Sequence, residues 1–159
     1  MKSAATPYLL KEITARALVS VLVAGIIAMV PLYGQSKAPA ELGKTKSIAE
    51  TQHEIVMLLI KHQEFEKALA EANKIFEMKW PDDQEPLLLK ELLYLSDQFL
   101  RHGQTILGLQ VIEGNSKFFR RNLSQIALWK EKGYLYKHMQ QDEKALDCFR
   151  KAQELENNN

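Results

Sequence analysis

The stretch WKEKGYLYKHMQQDEKALDCFRKA, residues 129 to 152, decides how this chain is read. Trp129, Gly133 and Tyr136 recur at steps of four and three, the spacing of one helix face, and Ala145, Phe149 and Ala152 do the same further on. Between them lies the polar break from Met139 to Asp142. Small residues let two helices cross closely, and large ones fill the space on either side of the crossing. The stretch therefore predicts an antiparallel hairpin of two helices.

Working outward, Ile55, Leu58 and Leu59, then Phe65, Leu69, Ala72, Ile75 and Phe76, keep the helical period, and no segment alternates as a strand would. Breaks at His62 to Glu64, Trp80 to Pro86, His102 and Gly103, Gly114 to Ser116 and Arg121 to Ser124 divide the region. Six helices are expected, over 47–62, 64–79, 86–102, 104–120, 124–139 and 142–156. Seven Gly and five Pro in 159 residues are too few for a turn-rich fold. The fold class is all-α: three antiparallel hairpins stacked side by side over 47–156 as a short α-solenoid.

The last hairpin resembles the tetratricopeptide repeat, whose pattern is W-x-x-L-G-x-x-Y followed by A-x-x-x-F. Trp129, Gly133, Tyr136, Ala145, Phe149 and Ala152 carry the match, while Lys132 stands where the pattern wants Leu and Asn157 near the usual proline. In the first hairpin Phe65 and Ala68 fit, Trp80-Pro81 closes the unit, and Val56 and Ala72 depart from the pattern. The middle one offers Gly103 at its turn, Gly108 as the small crossing residue and Ile112 for the aromatic. Ala68, Gly108 and Ala145 are 40 and 37 residues apart, against about 34 in the family.

The resemblance implies that the first helix of each hairpin lines a concave groove that holds a segment of a partner protein. Carried over position by position, the groove presents Glu50, His53, Met57 and Lys61, then Lys90, Tyr94, Asp97 and Arg101, then Lys130, Tyr134, Lys137 and His138. Lys130, Lys137 and His138 make its third unit basic, suited to acidic side chains or a carboxylate. With His53 and Met57 at the positions where some relatives clamp a partner's C-terminal carboxylate, a clamp of that type is not expected.

Residues 17–30, ALVSVLVAGIIAMV, are apolar on every side, and the run continues through Pro31 and Leu32 to Tyr33. Such a run suits a bilayer or a protein-conducting channel, and the preceding Lys2, Lys11 and Arg16 keep the amino end cytoplasmic. Residues 1–34 are thus expected to be a transmembrane anchor or signal segment. The repeat domain would lie on the exported side, membrane-anchored if the segment is retained and secreted or periplasmic if it is cleaved. Residues 35–46, QSKAPAELGKTK, read as a flexible tether, and 157–159 as a disordered tail.

The charge divides accordingly. The first 46 residues hold six basic and two acidic residues, the remainder fifteen and eighteen. A slightly acidic body argues against nucleic-acid binding. The lone Cys148 excludes an internal disulfide and, beside Phe149, reads as a buried thiol. No Gly-rich phosphate loop, nucleophile elbow or Cys/His cluster occurs, so no catalysis, cofactor, metal or small-molecule substrate is expected. Lys117, Phe118, Phe119, Arg120 and Arg121 form a basic and aromatic cluster that could meet an anionic lipid or partner. The expected function is a membrane-tethered or exported protein interaction module of a cell-envelope assembly. The alternative is a structural subunit whose stack self-associates or packs permanently, towards which Leu93 and Leu100 lean.

Overall fold

The computed structural model describes residues 37–158, and these are all-α. The helices are α1 (Lys37–Lys61), α2 (Phe65–Glu77), α3 (Glu85–Arg101), α4 (Thr105–Asn115), α5 (Asn122–His138) and α6 (Asp142–Asn157). Short 3-10 turns, Asp82–Gln84 and Ser116–Phe118, precede α3 and follow α4. The anchor or signal segment expected over 1–34 lies outside the described residues. None of the described helices is long and apolar enough to cross a membrane.

The main correction concerns the tether. α1 begins at Lys37, ten residues before the expected start, so most of 35–46 is helical. Pro39 falls in the first turn, where no helical partner waits for a backbone N–H, so it does not break the helix. Thr45 returns its hydroxyl to the Glu41 carbonyl at 3.1 Å. At the other end α6 takes in Asn157, one residue of the expected tail.

Three tight turns make the helices into hairpins, and all three are built alike. Gln63, Gly103 and Gln140 adopt left-handed backbone, with φ of 61°, 73° and 58°. The next residue closes each turn with its N–H: Glu64 to the Leu59 carbonyl (2.9 Å), Gln104 to Phe99 (2.8 Å), Gln141 to Tyr136 (2.9 Å). The left-handed residue itself donates to Ile60, Leu100 or Lys137, which completes a Schellman cap at the end of α1, α3 and α5. Four residues past each closing residue stand Ala68, Gly108 and Ala145, the small residues expected at the helix crossings.

Alignment on these turns explains the crossings. Val56, Ser96 and Gly133 each stand seven residues before the left-handed residue, and all are buried. A Cβ on Gly108 would meet the Ser96 carbonyl oxygen at 3.1 Å, and one on Gly133 would lie 2.6 Å from the Phe149 ring. In the second and third hairpins the missing glycine side chain thus allows the close approach. The second contact surface runs between hairpins, with α2 against α4, and α5 against both α3 and α4. Phe76, Leu92, Phe99, Ile112, Leu128 and Leu135 are almost wholly excluded from water. Each such side chain contributes about 1.5–3 kcal/mol relative to exposure.

Polar groups fix the connections between hairpins. The buried Glu85 carboxylate accepts the backbone N–H groups of Arg120 (3.2 Å) and Arg121 (2.9 Å). Trp80 donates its indole N–H to the Ile75 carbonyl at 2.7 Å, and the buried Asn115 reaches Asn73 of α2 at 2.7 Å.

Candidate functional site

The first helices of the three hairpins, α1, α3 and α5, carry a continuous row of polar and aromatic side chains. His53 of α1 bonds to the Glu91 carboxylate of α3 at 2.6 Å, and its ring lies against Tyr94, centroids 5.5 Å apart. One turn on, Asp97 pairs with Arg101 at 2.5 Å. Ser96 donates to the Glu131 carboxylate of α5 at 3.0 Å, and Glu131 feels both Asp97 and His138. These contacts join the three helices along one face.

The row is not uniform. Between α1 and α3 a cleft of about 320 Å³ has an apolar floor that includes Ala49, Ile75, Trp80 and Leu87, with Lys46, Glu50, His53, Glu54 and Glu91 around it. At the α5 end a shallower hollow of about 300 Å³ is lined by Tyr134, Lys137 and His138. The α1–α3 end thus sets three carboxylates, one of them bonded to His53, against Lys46, while the α5 end carries Lys137 and His138. Burial raises the Glu131 carboxyl above its ordinary value, helped by the nearby Asp97, although the Ser96 hydroxyl and His138 pull against it.

His53, Tyr94, Asp97, Arg101 and His138 thus come together on one face, and Glu50 lines its first cleft. Met57 is half-buried and packs on the core, while Lys61 and Lys90 are exposed on α1 and α3. Lys130 is paired with Glu156 of α6 at 2.5 Å, so the basic end consists of Lys137 and His138. Tyr134, 54% exposed, also meets Phe149 edge-on with centroids 5.2 Å apart. Glu54, Glu91 and Glu131 were not singled out from the sequence. Counting back nine residues from each left-handed turn residue would have set Glu54 and Glu131 in line with Tyr94.

No family model and no curated protein matches this chain. The residues that carried the repeat pattern are nonetheless used structurally: Ala68, Gly108, Gly133, Ala145 and Ala152 are buried at helix contacts. Lys132, the departure from Leu, lays its ammonium over the Trp129 ring at 3.4 Å from the centroid. Tyr136 is packed against the core. Cys148 is buried, and that burial raises its thiol above the ordinary value, more than the lowering by Lys132. Leu93 and Leu100 are half-buried against the core. Among the described residues no three His, Cys, Asp or Glu side chains group as metal ligands would.

Proposed function

We propose that this chain is a membrane-tethered or exported interaction module of the tetratricopeptide-repeat type, holding a partner's segment along the α1, α3 and α5 face. The observation that carries the reading is the repetition of one turn geometry in three successive hairpins, together with the His53 to Glu91 and Ser96 to Glu131 bonds that link the three first helices. That face has an apolar cleft with an acidic excess at one end and a basic hollow at the other, with Tyr94 42% exposed. A linear segment meets both as a flat surface would not.

The orientation of the segment follows from the charge. Its basic or apolar residues belong at the cleft between α1 and α3, and its acidic residues at Lys137 and His138. The test is recovery of a partner by the full chain reconstituted in neutral-lipid nanodiscs, compared with Tyr94→Ala/Tyr134→Ala. A partner retained by the native chain and lost by the variant supports the reading. A partner bound equally by both removes the groove from it.

One observation favours the structural-subunit alternative. Ile48, Ile55 and Leu58 of α1 are 48%, 40% and 53% exposed on a side of the helix turned from the core. Sedimentation of the full chain in detergent separates the readings: a monomer supports the binder, an obligate oligomer the subunit.

A further inference from the structure

A second cleft adjoins the groove's first one, with which it shares Trp80 and Leu88. It measures about 420 Å³ and opens between the α2–α3 and α4–α5 connections, with Phe76, Trp80 and Phe118 as apolar wall and Lys117, Arg120 and Arg121 at its edge. None of these three cations forms an ion pair among the described residues. Asp82 and Glu85 also line the cleft; the Glu85 carboxylate is occupied by the backbone N–H groups of Arg120 and Arg121, which leaves the exposed Asp82 against three cations. Arg121 also bonds the Asp82 backbone carbonyl at 2.9 Å, and the Lys117 ammonium lies 5.0 Å from the centre of the Phe118 ring. The loop is thus held by its backbone and by the Arg121 side chain, with Lys117 and Arg120 exposed beside an aromatic wall.

We infer that this end of the bundle docks on an anionic lipid surface, with Lys117, Arg120 and Arg121 taking headgroup phosphates and Trp80 and Phe118 at the interface. The chemistry is that of charge-assisted hydrogen bonds to phosphate beside amphipathic aromatics, which favour the headgroup level. Placement supports a lipid over an acidic protein segment. Trp80 and Pro81 also line a neighbouring hollow with Glu41, Leu42, Lys44, Thr45 and Ile48, so the cleft adjoins the first three turns of α1. In the sequence only Gly34 to Ser36 separate the apolar run from Lys37. Three extended residues reach about 10 Å, whereas a flexible tether of twelve would reach about 40 Å. The inference rests on the membrane reading of that run, and the experiment keeps the two separate.

The full chain carrying Trp129→Phe, so that Trp80 is the sole indole, is added to vesicles of phosphatidylcholine alone or of phosphatidylcholine and phosphatidylglycerol in equal parts, with brominated acyl chains. Flotation with phosphatidylcholine reports the anchor, and bromine quenching of Trp80 reports the cleft. Quenching is expected in the mixed vesicles only. It should be lost at high salt and in Lys117→Glu/Arg120→Glu/Arg121→Glu. If the run does not anchor, the anchor reading fails alone; flotation should then need phosphatidylglycerol, and the triple variant should weaken it by about 100-fold or more. Equal quenching in both lipids, quenching that survives the triple reversal, or no binding to either vesicle overturns the inference. So does a lipid-free shift of Trp80 emission by a glutamate-rich peptide that is as large as that from the mixed vesicles and is lost in the triple variant, which would assign the cleft to an acidic protein segment.

Discussion

Gly133 shows what a single residue decides here. Its missing Cβ leaves the space that the Phe149 ring fills, and that ring is itself held against Tyr134. Gly133→Ala therefore gains helix propensity but displaces an aromatic side chain, for a net loss of about 1–2 kcal/mol. Gly114, with nothing within 4 Å of a built Cβ, provides the control, and Gly114→Ala should stabilise by about 0.5–1 kcal/mol. Urea unfolding of the full chain in a non-ionic detergent reads both. Glu131 makes a different prediction, because burial raises its carboxyl in the folded chain. Folding then favours the protonated form, so stability is fullest below the ordinary glutamate range and declines as pH rises through the raised value. Glu131→Gln keeps an acceptor for Ser96 and removes the titration. Unfolding at a series of pH values should show the native chain losing stability relative to the variant above pH ~4. A parallel pair of curves would contradict the raised carboxyl.

At the scale of elements, the three Schellman turns are alike in hydrogen bonding but not in the residue that bears the left-handed backbone. Gly103 bears it without strain, whereas Gln63 and Gln140 carry side chains at positive φ. Gln140→Gly and Gln63→Gly should each stabilise by about 0.5–1 kcal/mol, and Gly103→Ala should destabilise by about 1 kcal/mol, in the same unfolding measurement. Helices such as α2 and α3 were legible because each buries one stripe, so the apolar steps of three and four survive in the sequence, whereas α4 and α5 bury residues around more of their circumference and were marked by the breaks that flank them. Two features were not legible. Pro39 and Gly43 read as breakers, yet a proline in a first turn costs no hydrogen bond, and a glycine with no neighbour leaves no gap. The crossing partner of Gly108 also escaped notice, because Ser96 is polar by composition and small by volume, and only its place seven residues before the turn marks it. The groove was read in part for a related reason: carboxylates such as Glu91 and Glu131 look like ordinary exposed helix charges until their cross-helix partners, His53 and Ser96, are known.

For the whole molecule, the consequence of three like hairpins is a face that no single hairpin possesses. Its subsites come from α1, α3 and α5 together, so a segment that fills them both lies across all three helices. The buried Glu85 and the Asn115 to Asn73 bond hold neighbouring hairpins in register and thus keep those subsites aligned. The central claim is that this face, and no other surface of the body, holds a partner segment. Photocrosslinking in cells tests it most directly, with a photoreactive residue placed in the full chain at Tyr94 on the shared face or at Gln110, exposed on α4. The account predicts one discrete crosslinked partner from position 94, reduced when Lys137 and His138 are both changed to Glu, and none from position 110. Equal crosslinking from both positions, or a product at 94 that is indifferent to the charge reversal, would contradict it.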